Sequence, residues 1–143
     1  MSTHWLAMRI SEEQDRRQRE ALVQERLPAA LVELRGHLET CVAAYRKAFG
    51  DAAAELKVEP SSITVTARES IDGQWRTSAE IVVEIDAGIP GFRIGSAAGE
   101  PFGIEVGMLP GQKLFYRREN QYLGIDDVTR HILDRALFPK LLE

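Results

Sequence analysis

Apolar residues recur through Leu27–Phe49 at steps of four, three, four, four, three and four: Leu27, Leu31, Leu34, Leu38, Val42, Tyr45 and Phe49. This spacing puts all seven on one face of a single helix at about 3.6 residues per turn. It is the one long helical stripe in the chain, so whatever else folds here is expected to cover it.

After the stripe, Gly50 reads as the helix C-terminal residue and Asp51–Pro60 as a connector with one short turn. The period then changes from helical to alternating. Ile63, Val65 and Ala67 alternate with Ser62, Thr64 and Thr66, and Trp75, Thr77, Ala79, Ile81, Val83 and Ile85 form a second alternating set. Asp72-Gly73 marks the turn between them. A three-residue loop, Ile71-Asp72-Gly73, is expected to pair Val65 with Ala79 and Ile63 with Ile81. A strict two-residue loop would pair Val65 with Glu80 and mix the faces. Three further strands are expected: one from Phe92 and Ile94, turned at Ala97–Pro101; one through Phe102, Ile104, Val106 and Met108; and one over Lys113–Arg118 after Pro110-Gly111. Asp126 is the expected N-cap of a last helix with Val128, Ile132 and Ala136 inward, ended by Pro139.

Upstream of the stripe the chain is charged. Ser11 and Gln14 form a capping-box pattern, and Glu12–Arg16, Glu13–Arg17 and Asp15–Arg19 are spaced for helical ion pairs. Pro28 is expected to kink or break the helix between Glu25 and Pro28. The expected fold is therefore α+β: a long, Pro28-kinked N-terminal helix, an antiparallel meander of about five strands and a short C-terminal helix, with both helices on one face of the sheet. Residues 1–143 form a single domain in this reading, with 1–10 a loose arm, 11–26 a charged overhang and 27–143 the body. A helix over Ser11–Phe49 is about 58 Å long at 1.5 Å per residue, while a strand of eight residues spans about 27 Å. The overhang, and an outer sheet face with Gly95, Gly103 and Gly107 beside Leu114 and Tyr116, together point to a homodimer or a protein partner.

Composition narrows the function classes. The 143-residue chain is 44% hydrophobic and 28% charged, as for an ordinary globular domain. Its net charge of −4 argues against a general nucleic-acid binder. No apolar run is long enough to span a membrane, and Met1–Ile10 carries no secretion-signal pattern. The single Cys41 excludes an intrachain disulfide and fits a reducing, cytoplasmic location.

No catalytic or cofactor motif stands out, and no cofactor is expected. Glu33, His37 and Cys41 lie four apart on one helix, the spacing of an activated thiolate, but they border the core stripe and lack an oxyanion site. Asp127, His131 and Asp134 share one face of the last helix at a spacing that can hold a divalent metal. Arg130 and Arg135 beside them oppose a cation. Arg93, Arg117 and Arg118 with nearby aromatics are the nucleic-acid candidates, although alternation divides Arg117 from Arg118. Tyr45, Trp75, Phe92 and Phe102 are the residues expected to line a ligand pocket between the long helix and the concave sheet face. The sequence thus points first to a non-enzymatic adaptor or chaperone-like protein acting as a homo-oligomer. A small-molecule binder or enzyme and a nucleic-acid-associated protein are the alternatives.

Overall fold

The computed structural model describes residues 3–96 and 99–141. Helix α1 spans His4–Phe49 as one element of 46 residues. It is followed by β1 (Ala54–Glu59), β2 (Ser62–Ile71), β3 (Gln74–Asp86), β4 (Gly91–Ser96), β5 (Gly99–Leu109), β6 (Lys113–Arg118) and β7 (Gln121–Leu123). Helix α2 spans Ile125–Leu137, and a short 3₁₀ turn covers Pro139–Leu141. The strands pair antiparallel in chain order, β1-β2-β3-β4-β5-β6-β7. The α+β arrangement with an antiparallel sheet is as expected, but the described residues hold seven strands rather than about five.

Both additional strands are at the sheet's edges. The segment expected to be a connector is β1, whose Ala54, Leu56 and Val58 alternate with Glu55, Lys57 and Glu59 along β2. The segment leading into α2 is β7, too short for a period to register. Of the expected turn at Ala97–Pro101, Ala97 and Ala98 lie outside the described residues, and Gly99–Pro101 already belong to β5.

The β2–β3 hairpin closes differently from the expected three-residue loop. Ile71 pairs with Gln74 across Asp72-Gly73, and both turn residues have positive φ, 53° and 77°. That is the type I′ geometry whose twist matches the flanking strands. The face mixing that a two-residue loop would cause is undone by a register shift between Ala67 and Arg68. Beyond it Ala67 pairs with Ala79, Val65 with Ile81 and Ile63 with Val83. A bulge, not a longer loop, keeps the apolar set inward.

Helix α1 differs in three ways from its expected form. It runs on as α-helix through Pro28, since one missing backbone bond is outweighed by Leu27, Ala30 and Leu31 buried on the sheet around it. It begins at His4, so Ser11 is interior and caps nothing, and the described part of the loose arm is helical. Extending a helix by residues such as Leu6, Ala7 and Met8 costs less than starting one at Ser11. The stripe also fades at its end. Leu27, Leu31, Leu34, Leu38 and Val42 are buried, Tyr45 is half-buried, and Phe49 is 59% exposed beyond the sheet. Gly50 closes the helix at φ 112°, its N–H donated to the Arg46 carbonyl at 2.7 Å.

The core lies between one sheet face and both helices. Phe92, Ile63, Val65, Ile81, Val83, Ile94 and Ile104 meet Leu27, Leu34 and Leu38 of α1 and Val128 and Ile132 of α2. Full burial of such a side chain contributes about 1.5–3 kcal/mol, so the stripe residues and their partners anchor the domain. At the start of α2 the N-cap is Gly124, not Asp126. The Asp127 carboxylate, three residues on, accepts the Gly124 N–H at 3.1 Å.

The outer sheet face is not the smooth surface expected. Val106 faces the core, so its partner Tyr116 is buried there too and Leu114 packs beside it. Phe115 points outward instead, and its ring lies over Gly107. The Ile89 side chain covers Gly103.

Candidate functional site

The four pocket candidates do not share a cavity. Phe92 is fully buried in the core, 6.4 Å from the Tyr116 ring. Trp75 sits near the tip of the β2–β3 hairpin, close to Gly50 at the end of α1, and is 44% exposed. Tyr45 and Phe102 belong to two different surface features.

Tyr45 lines a groove between α1 and α2 of about 530 Å³, walled by residues of the two helices and Phe138 just beyond α2. Its ring lies 4.8 Å from Phe49 and meets Phe138 edge-on at 5.6 Å. Leu133 and Leu137 of α2 form part of the opposite wall. Cys41 opens into this groove and is exposed, not half-buried as its place beside the stripe suggests. His37 turns to the other helix, where its Nδ1 lies 3.3 Å from an Asp126 carboxylate oxygen. An imidazole of α1 thus stands beside a carboxylate of α2 at the border of the groove. Glu33, the third member of the helical set, adds its negative charge to the surroundings of Tyr116. Burial first, and then Glu33, push the Tyr116 hydroxyl up to about 12.

Phe102 belongs to the second feature. It lies half-buried on the inner face of β5, near the open edge of the core. The Arg118 Cζ is 3.9 Å from its ring centroid and the Arg135 Cζ is 4.4 Å from it. Arg118, the last residue of β6, donates from Nη1 to the Nδ1 of His131 at 3.1 Å. A guanidinium has no acceptor, so Nδ1 carries the lone pair and the neutral imidazole holds its proton on Nε2. Burial, with Arg118 next, holds His131 below the usual imidazole range. Beside it opens a cleft of about 470 Å³ lined by Arg118, Glu119, Asn120, Gln121 and His131.

The other two nucleic-acid candidates are elsewhere. Arg93 and Arg117 are on the outer face, where Arg93 pairs across the strand with Glu84 and Arg117 is ion-paired with Glu105. Arg118 faces inward. The three arginines form no common track for a polyphosphate backbone.

The metal candidates Asp127, His131 and Asp134 do gather beside β7, but each already has a partner. Asp127 caps Gly124, His131 accepts from Arg118, and Asp134 lies 3.4 Å from Arg130. Among the described residues no group of three or more His, Cys, Asp or Glu is arranged to hold a metal ion, and none of the described helices is long and apolar enough to cross a membrane.

Sequence reading named Tyr45, His37, Cys41, Phe102 and Arg118, and gave Asp126 and Arg135 other roles, but it did not place Asp126, Phe138 and Arg135 in their surroundings. No spacing rule links these to α1 or to β5, because only the tertiary fold brings them together.

The exposed half of α1 is a third feature. The first buried residue of α1 is Val23. From His4 to Leu22 the helix projects by about 28 Å at 1.5 Å per residue. Its tip exposes Trp5, Leu6, Met8 and Ile10 at 65%, 43%, 53% and 49%. Below the tip, Glu13 is bonded to Arg16 and Arg17, and Arg16 reaches on to Glu20. Of the three expected ion pairs, Glu13–Arg17 is present at 3.2 Å.

The chain matches no known family model, and no curated protein or solved structure shows significant similarity to it.

Proposed function

We propose that this protein is a non-enzymatic interaction protein, an adaptor or chaperone-like subunit, that works as a homo-oligomer. The observation that carries this reading is the projecting half of α1. Four large apolar side chains at its tip are exposed, and none of them belongs to the core cluster of the described residues. Isolated helices in water gain little from propensity alone, and most helical stability comes from packing an apolar face. A projecting helix with an apolar tip and a laced charged shaft is suited to packing on another chain. Clustered exposed apolar residues of this kind mark interaction surfaces.

Sedimentation equilibrium or light scattering on the full chain tests the reading. The expected mass is a multiple of 16.0 kDa, reduced toward one chain by Trp5→Ser with Met8→Ser. A single-chain mass at all working concentrations overturns it.

A second reading has its own observation. The α1–α2 groove of about 530 Å³ is apolar along Leu133, Leu137 and Tyr45 and falls within the size range of small-molecule sites. It suits an aliphatic or aromatic ligand. An increase in fluorescence of a solvatochromic apolar dye, lost in Leu133→Glu, is the expected result under this reading.

A further inference from the structure

We propose that Arg118 and Arg135, held against Phe102 with His131 alongside, form a binding site for a small oxyanion group, a phosphate or a carboxylate, at the open edge where β6 meets α2. The inference is independent of the oligomeric reading.

Both guanidinium carbons lie over a single phenyl ring, at 3.9 and 4.4 Å from its centroid, so the two cations are within about 8 Å of each other. Like charges this close repel, more strongly where they are partly shielded from water. Among the described residues, neither arginine has a carboxylate at ion-pair distance. Seven other arginines, from Arg9 to Arg130, do have one. Arg19, Arg26, Arg46, Arg76 and Arg93 have none among the described residues either, but Arg118 and Arg135 are the two that are gathered over one ring. Burial first, and Arg135 second, depress the pKa of Arg118, as expected for a cation whose charge is uncompensated.

The donors are also placed in advance. Stacking on Phe102 and the bond from Nη1 to His131 fix the plane of the Arg118 guanidinium. The Nε and Nη2 edge has no bonded partner among the described residues, and that edge matches the two oxygens of a carboxylate or phosphate. Arg135 is held too, donating to the Glu100 carbonyl at 3.3 Å. Holding an arginine in its binding geometry removes much of the ordering cost that a flexible surface arginine meets on binding. The cleft next to Arg118 adds the side-chain amides of Asn120 and Gln121 as neutral donors.

Three acids stand nearby. Asp127 and Asp134 are engaged with the Gly124 N–H and with Arg130. Glu119 lies in the tight β6–β7 turn at φ 55° and is exposed, and among the charges acting on Arg118 it ranks below Arg135. The anion expected is small, because Arg93 and Arg117 are on the opposite sheet face and offer no continuation for a polymer.

The test is a nuclear magnetic resonance titration of the full-length, isotope-labelled protein at constant ionic strength. Inorganic phosphate is added in one arm, acetate in the second and chloride in the third. Saturable shifts at Arg118, His131 and Arg135 in the phosphate or acetate arm, but not with chloride, are expected. Saturation by one arm alone identifies which oxyanion the site takes. Arg118→Gln is expected to weaken binding by about tenfold or more, and Arg118→Lys, which keeps the charge but loses the fork, by several-fold. Arg93→Gln, on the other sheet face, leaves binding unchanged, and dispersed spectra confirm that each variant is folded. Non-saturating shifts up to tens of millimolar, equal responses to chloride, or binding that survives Arg118→Gln would overturn the proposal.

Discussion

A methyl group placed on Gly91 would lie 2.0 Å from the carbonyl oxygen of Ile104. The two residues are on paired strands, where Gly91 faces Glu105 and Phe92 faces Ile104. The obstacle is backbone, so no rotamer change relieves it. Gly91→Ala is expected to force β4 and β5 apart and to cost about 3 kcal/mol, the upper part of the range for overpacking. Gly107 is the control. There the obstructing group is the Phe115 ring, a side chain on the outer face that can swing away. Gly107→Ala is expected to cost about 1 kcal/mol or less. Urea unfolding of both variants gives the comparison, and equal losses would contradict the assigned difference between backbone and side-chain contact.

Tyr116 carries a hydroxyl that is buried with no hydrogen-bond partner among the described residues. Leaving such a group in the core costs about 1–3 kcal/mol, so removing it is favourable or neutral. Tyr116→Phe is expected to keep the Phe92 contact and to raise stability by up to about 1 kcal/mol. The pH dependence has a definite sign. The folded pKa is pushed up from 10.0 to about 12 by burial, so the neutral hydroxyl is favoured in the folded state. The associated stability is fully present below pH 10 and is lost as pH rises through 12. Tyr116→Phe therefore flattens the stability profile over that window. A variant that unfolds at lower urea than the parent at neutral pH would mean that the hydroxyl has a partner after all.

How far the chain could be read in advance depended on how local each cause was. The stripe from Leu27 to Val42 and the alternation from Ile63 to Ala67 are local periodicities, and both appear in the fold where expected. Ala54–Glu59 also alternates, Ala-Glu-Leu-Lys-Val-Glu, but the flanking Asp51 and Pro60 suggest a connector, and only Ala54 of that strand is fully buried. The hairpin register required knowing that a bulge would follow Ala67, a choice made by core packing of Ile63, Val65 and Ala67 rather than by the turn residues. The surface sites were less legible still. Phe102, Arg118, His131 and Arg135 come from β5, β6 and α2, and their meeting depends on the strand order and on the angle at which α2 crosses the sheet. Alternation alone did separate Arg117 from Arg118, and that separation holds.

Glu13 gives a pH prediction on the projecting helix. Its carboxylate is bonded to Arg16, at 2.5 Å, and to Arg17. The Arg16 side chain is the largest influence and holds the Glu13 pKa at about 2, below its ordinary 4.5. A depressed carboxylate pKa stabilises the folded state above the unfolded value, so this contribution is present above pH 4.5 and disappears as pH falls through 2. A side-chain carbon titration is expected to show Glu13 with a midpoint well under that of an ordinary glutamate. In Arg16→Gln the midpoint moves back up toward the ordinary value. A Glu13 midpoint near 4.5 in the parent would show that the Glu13–Arg16 contact is not held in solution.

Pro28 is the residue at which local chemistry and tertiary structure disagree most directly. Its ring nitrogen cannot donate, so the Gln24 carbonyl loses its intrahelical bond, yet α1 continues on both sides. The continuation is supported by tertiary contacts: Val23, Leu27, Ala30 and Leu31 are all buried, and the Gln24 side chain donates to the Ala87 carbonyl at 2.9 Å. Pro28 itself is exposed, so replacing it opens no large cavity. Pro28→Ala restores the missing bond and removes the clash with the preceding turn, a gain of about 3 kcal/mol in an isolated helix. The greater freedom of the unfolded chain takes back about 1 kcal/mol. The expected outcome is a net rise of about 1–2 kcal/mol, read as a higher thermal midpoint and stronger helical ellipticity. Pro28 lies within the buried half of α1, after Val23 and Leu27 and so less than two turns from the projecting part, and the same variant therefore also tests whether the projection needs a bend. If assembly uses the straight helix, the solution mass of Pro28→Ala equals that of the parent. A more stable variant with a lower mass would mean that the proline sets the angle at which the projecting half meets its partner.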